Sequence, residues 1–239
     1  MKYVLVLLLI SVFTACNNGH KNESSKTSSS MNEATINLSN ETGIPIHIIN
    51  LLAAASGAKV EHLCRQETGL VDLNDSTYVH KKSPLVKSVM LPGIWTLKKV
   101  DTGYYDLVRE IQSKIKGKGY RIFICDGKDA KEPNRLAIVQ SEDEFTPLVY
   151  MQTNGINAGL DNSQLITRLK ILSQRLDLIL LGADFDWCEF QINKDPESWE
   201  LLAEEIYKFC PDIVDQGTQT VSALAKELRQ TRRLYLWFD

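Results

Sequence analysis

The sequence predicts an α+β fold: a mixed or antiparallel sheet with several packed helices, forming a single globular domain behind a signal peptide and a flexible tether. Helix-period apolar stripes and short apolar strands are interspersed without a regular βαβ alternation. From Ala34 onward there is no fixed-period repeat and no second low-complexity linker, and the remaining length suits one well-cored domain. The composition, 44% apolar and 24% charged, is that of a globular chain.

The elements follow in order. Ile36–Leu38 is a short strand candidate, and Thr42 caps a helix that starts near Pro45 and runs through Ile46, Ile49, Leu52 and Ala53 to Gly57. Lys59–Arg65 alternates as a strand. Residues 66–93 carry Gly69, Asp72, Pro84 and Pro92 and read as turns. Tyr104, Leu107, Val108, Ile111 and Ile115 share a helical face that ends at Gly117 and Gly119. Tyr120–Cys125 and Arg135–Gln140 are buried neighbouring strands, and Asp143 caps a short helix through Phe145, Leu148 and Met151.

After the turn-rich loop Thr153–Gly159, Asp161 or Asn162 caps a helix with Leu165, Ile166, Leu169 and Leu172 on one face. Leu176–Leu181 is an apolar strand broken by Gly182, and Phe185–Ile192 is a second extended stretch. Pro196 opens a helix through Trp199, Leu202, Ala203, Ile206 and Phe209, which Pro211 stops. Thr220 caps the last helix, with Val221, Leu224, Ala225 and Leu228, and Arg233–Phe238 is a closing strand.

The first residues are expected to be removed rather than folded. Lys2 precedes Val4–Phe13, ten residues of which only Ser11 is not apolar, and Thr14-Ala15-Cys16 follows. This resembles a bacterial lipoprotein signal, in which the peptide (1–15) is cut before an acylated Cys16. Residues 16–33 then form the lipidated Cys and a disordered tether with one apolar residue beyond the cysteine, Met31. Residues 34–100 form the N-terminal part of the globular domain. Loss of Lys2 moves the net charge from -3 to -4.

Charge and motifs exclude several functions. A slightly acidic chain lacks the clustered Lys and Arg of a nucleic-acid binder. No apolar run reaches the about 18–20 residues of a membrane span. Cys64, Cys125, Cys188 and Cys210 show no CxxC pairing and are expected to be buried free thiols. No phosphate-cradling glycine motif and no GxSxG is present. Arg229, Arg232 and Arg233 read as a solvated basic rim.

Two clusters remain as candidates. In Gly182–Glu189, Asp184 and Asp186 share one face of an extended chain, and Phe185, Trp187 and Glu189 share the other. Two carboxylates so spaced can chelate a hard divalent cation, or can accept backbone hydrogen bonds at a turn. In Phe209–Gly217, Cys210 reads as a small buried apolar residue, and Asp212 and Asp215 as helix caps or braces of the turn around Gly217.

The segments GADFDWCEF, FCPDIVDQGTQTVSALAKEL and RLYLWFD, with GYRIFI and QTNGIN upstream, resemble the bacterial domain of unknown function 4253 family over residues 101–239. The family implies no activity. Its aromatic-Asp ending implies a docked closing strand that brings Asp239 near Asp184 and Asp186 or near Asp212 and Asp215. Gathered acids raise one another's pKa unless a cation compensates.

The functional expectation is therefore an uncharacterised lipid-anchored protein of the bacterial cell envelope. It touches the membrane through lipid on Cys16, binds no nucleic acid, and acts as a binding or interaction module, of an immunity type, on a protein partner. Alternatives are a divalent-metal-dependent enzyme using Asp184 and Asp186, and a purely structural envelope protein. No cofactor is evident beyond that divalent cation.

Overall fold

The structure, a computed structural model, describes residues 23–68, 86–97, 103–125 and 135–238. The signal segment, Cys16 and Asp239 lie outside them. Alternation along the strands sets the layers. In β3 (Tyr120–Cys125), Ile122 and Ile124 face one apolar cluster, while Phe123 and Cys125 face another. In β4 (Arg135–Gln140), Leu136 and Ile138 take the first side, and Ala137 and Val139 the second.

Seven strands form one mixed sheet in the order β1-β2-β4-β3-β5-β6-β7. These include β1 (Val60–Thr68), β2 (Val86–Thr96), β5 (Leu178–Ala183), β6 (Trp187–Ile192) and β7 (Arg233–Trp237). Neighbours run antiparallel except β3 and β5, which are parallel. The first face is covered by α1 (Glu23–Thr42), α2 (Ile46–Ser56) and α3 (Tyr104–Ile115) through Leu38, Ile48, Leu52, Val108 and Ile111. The second is covered by α4 (Thr146–Met151), α5 (Asn162–Leu176), α6 (Trp199–Tyr207) and α7 (Val221–Thr231). The α+β class is as expected, with a sheet that is mixed. Among the described residues no helix is long and apolar enough to cross a membrane.

The caps explain several boundaries. Asp161 caps α5 in a reciprocal box with Gln164, and Ser198 and Thr220 accept from Leu201 and Ala223 at the starts of α6 and α7. Ser198, rather than Pro196, therefore opens α6. Asp143 accepts from the Phe145 N–H at 3.0 Å just before α4.

Several expectations need correction. Ile36–Leu38 belongs to α1, not to a strand. Leu38 is buried against the sheet, and once that packed turn exists, helix extends upstream without a new nucleus, so α1 includes residues 23–33 of the expected tether. Thr42 ends α1 rather than capping α2: its hydroxyl donates to the Leu38 carbonyl and accepts from the Ile44 N–H. Finally, β2 occupies part of the stretch read as turns. The β1–β2 register shifts between His62 and Cys64, so that Leu91, Pro92 and Gly93 lie opposite Leu63 alone. That bulge admits a proline, which has no N–H for the ladder.

Gly182 does not end β5. It lies inside the strand beside Ile124 of β3, where a Cβ would stand 2.5 Å from the Trp187 ring. Only glycine leaves room for that indole.

Candidate functional site

Past the start of α3, the first face of the sheet is left open over β6 and β7. Period-2 alternation turns Trp187 and Glu189 of β6 to that side, and their cross-strand partners Trp237 and Tyr235 of β7 come with them. From above, α3 begins at Gly103, whose positive φ of 72° suits glycine, and its first turn contributes Tyr104 and Tyr105. Gln112 anchors the helix by donating to the Leu180 carbonyl at 2.8 Å. The result is a cleft of about 320 Å³ lined by Tyr104, Tyr105, Ile124, Asp186, Trp187, Glu189, Tyr235 and Trp237.

Its chemistry centres on Glu189, which is only 4% exposed. The Tyr105 hydroxyl donates to its Oε2 at 2.6 Å, and Arg233 Nη1 lies 3.1 Å from its Oε1. The Arg233 guanidinium also stands 4.5 Å over the Tyr105 ring. Burial pushes the Glu189 pKa up, against the opposing pull of the Tyr105 hydrogen bond and the Arg233 charge. Burial, with the bond to Glu189, pushes the Tyr105 phenol up as well, so it stays protonated as a donor. The rings are also paired: Tyr104 with Tyr105 at 4.7 Å and Trp187 with Tyr235 at 6.0 Å.

Asp184-Phe185-Asp186 forms the turn between β5 and β6. The Asp184 N–H donates to the Trp187 carbonyl, and its Oδ1 accepts from the Phe185 N–H at 2.7 Å. Asp186 faces the cleft with Trp187 and Glu189, so the turn breaks the shared face expected for Asp184 and Asp186 in an extended chain. Asp212 and Asp215 are not brought to this cleft's lining. They flank and enter a π-helical turn (Ile213–Thr218), where Gln216 donates to Asp212 and the Tyr207 hydroxyl donates to Asp215. Among the described residues no group of three or more His, Cys, Asp or Glu could hold a metal ion.

The four cysteines Cys64, Cys125, Cys188 and Cys210 are buried free thiols. Cys210 donates to the Trp237 carbonyl at 3.1 Å, and burial pushes its pKa up to about 12. Cys188 is raised too, by burial first. Neither thiol supplies a thiolate at neutral pH.

The distinctive segments meet around the chain end. Phe238 donates its N–H to the Asp186 carbonyl, and its ring occupies the space a Cβ on Gly155 would fill, 2.6 Å away. Asn154 donates to the Phe185 carbonyl, tying the Thr153–Gly159 loop to the same turn.

Of the cleft residues, sequence reasoning singled out Asp186, Trp187 and Glu189 and missed Tyr104, Tyr105, Ile124, Tyr235 and Trp237, together with both residues that hold the Glu189 carboxylate. Arg233, read as part of a solvated rim, is the partner of Glu189, and Tyr105 carries no motif. The signal for Arg233 is its position two residues before Tyr235 on a closing strand, which sets it on the same face. A second groove of about 410 Å³ lies between α5 and α6; of its charged residues, Arg175 pairs with Glu205 at 2.7 Å, and Asp195 pairs with Arg232 at the end of α7. No curated protein and no solved structure matches the chain. A family model does: residues 135–239, from β4 to the chain end and including every β6 and β7 residue of the cleft, match the domain of unknown function DUF4253.

Proposed function

We propose that this chain is a binding module of the bacterial cell envelope, held there by lipid on Cys16, and that the cleft over β6 and β7 is where it recognises a protein partner. The observation that carries this is the lining itself. Five aromatic rings from three elements surround a space open to solvent, on a Tyr105–Glu189–Arg233 set with the buried Glu189 at its centre. Aromatic anchors in such a concavity are where binding energy concentrates. The lipoprotein-like segment ending at Cys16 supports the anchor, and a protective, immunity-type role suits an anchored binder. The divalent-metal reading draws no added support, because Asp184 holds the Phe185 amide.

Site-specific photo-cross-linking in the native envelope tests this. With p-benzoylphenylalanine in place of Tyr235, a discrete protein adduct is expected. With the same residue in place of Ile171, on exposed α5 of the opposite layer, none is expected. The Cys16→Ser chain should lose both its acyl label and the adduct. Equal labelling from both positions, or none from 235, contradicts the proposal.

A further inference from the structure

We propose that the seam between β3 and β5 is a hinge, and that its opening sets the width of the cleft. This concerns the motion of the protein alone and goes beyond the binding reading.

The sheet order divides β1, β2, β4 and β3 from β5, β6 and β7, and the chain passes between these halves once, from β4 to β5. The halves meet along β3 and β5, where Ile124 and Gly182 are the only paired residues among those described. Every other neighbouring pair of strands is in register over at least three residues. At the meeting point the approach is close: a Cβ on Gly182 would stand 3.2 Å from the Ile124 carbonyl oxygen and 2.5 Å from the Trp187 ring. Before Gly182, the backbone of β5 is served by side chains. The Leu178 N–H donates to Ser173 Oγ at 3.3 Å and the Leu180 N–H to Glu144 Oε2 at 3.2 Å, while Gln112 Nε2 donates to the Leu180 carbonyl at 2.8 Å. Glu144 lies on the single passage between the halves, and its carboxylate also pairs with Nε of Arg121 on β3 at 2.8 Å.

Side-chain bonds across a seam part without unzipping a ladder, so this is the line along which the sheet opens at least cost. One apolar cluster, with Phe123, Phe145, Leu180 and Phe190, bridges the halves on the second face, so the seam opens toward the first. The cleft lies on that face and straddles the seam. Ile124 of β3 and Tyr105 of α3 belong to one half, and Trp187 and Glu189 of β6 to the other. The Tyr105–Glu189 bond at 2.6 Å is the strap at the cleft end, and Gln112, two turns further along α3, is the strap at the other. A hinge needs only a few residues to absorb the change, and Gly182 with the passage through Glu144 supplies them.

Residue-resolved hydrogen exchange on the folded protein tests this. The Leu180 amide is expected to exchange about tenfold or more faster than those of Ile138 and Phe190, which sit in strands paired on both sides. Gln112→Ala and Tyr105→Phe each remove one strap and leave the Glu144 bond to the Leu180 N–H in place. Each should speed Leu180 exchange by about twofold to tenfold or more, as expected for one hydrogen bond, with Ile138 and Phe190 unchanged. Gln112→Ala takes nothing from the lining of the cleft, yet the indole signals of Trp187 and Trp237 should shift in it. Leu180 exchanging no faster than Ile138 and Phe190 in the unaltered protein overturns the proposal, and that comparison holds even where a variant fails to fold. Folded variants that leave the Leu180 rate unchanged, that speed all three amides equally, or that leave both indole signals in place overturn it as well. None of these readings involves a partner. A failed cross-link from position 235 leaves the hinge standing, and a rigid seam leaves the binding-module reading standing.

Discussion

Phe238→Ala is expected to lower folding stability by about 3–5 kcal/mol, the range for deleting a buried phenylalanine side chain. Phe238 is 4% exposed, and its ring fills the space left by the missing side chain of Gly155. Its N–H is bonded to the Asp186 carbonyl. The ring therefore joins three segments distant in sequence: the Thr153–Gly159 loop, the β5–β6 turn and the end of β7. Its loss leaves a cavity under the turn that carries Asp186 and loosens Trp237 next to it. A urea titration checks this: the midpoint should fall with the slope unchanged, the signature of lost stability in an otherwise similar two-state transition.

Arg233→Met should destabilise the protein by about 2–3 kcal/mol at neutral pH. This is less than the about 3–5 kcal/mol of a fully buried pair, because the Arg233 side chain is 33% exposed and partly screened. The substitution keeps much of the apolar stem but leaves the Glu189 carboxylate buried without its nearest cation. The pH dependence gives the sign. Burial already holds the Glu189 pKa above its ordinary 4.5, so the folded chain binds this proton more readily than the unfolded one. Stability is lost from this group as pH rises from about 4.5 through the raised folded value, and the loss is complete above it. Removing Arg233 raises that folded value further. The deficit of the variant should therefore be largest at neutral pH and shrink on acidification toward the ordinary carboxylate range. Melting temperatures of both proteins measured between pH 5 and 8 test this; a deficit independent of pH would assign Arg233 a packing role alone.

Local rules made much of this fold legible. The α3 and α7 stripes, the Asp161 and Thr220 caps and the apolar runs of β3, β4 and β5 are written in contiguous residues. What escaped depends on partners far along the chain. β2 carries Pro92, and only the opposing strand with its shifted register makes a ladder around it. Ile36–Leu38 has strand-like residues, yet the buried Leu38 sits on a helical face that docks on the sheet. The site was half visible. Trp187 and Glu189 stood out together, because alternation on one strand is a local property, whereas Asp186, assigned to the other face, joins them only through the turn that interrupts the alternation. Tyr105 lies 84 residues from Glu189, and Arg233 meets it only through the β6–β7 register. Neither pairing has a spacing rule that a single chain can display. Asp212 and Asp215 looked equivalent to the other acids in sequence, but the π-helical turn gives them local partners.

The four tryptophans provide the most direct test that the cleft is the recognition surface. Trp187 and Trp237 line it, whereas Trp95 contacts Glu61 beneath the opposite layer and Trp199 begins α6. Their indole N–H signals should be followed in a proton–nitrogen correlation spectrum while the partner captured by cross-linking is added. The Trp187 and Trp237 signals are expected to move or broaden, and those of Trp95 and Trp199 to stay in place. Movement of Trp199 with Trp187 and Trp237 unchanged would contradict it and place recognition on the other side of the sheet.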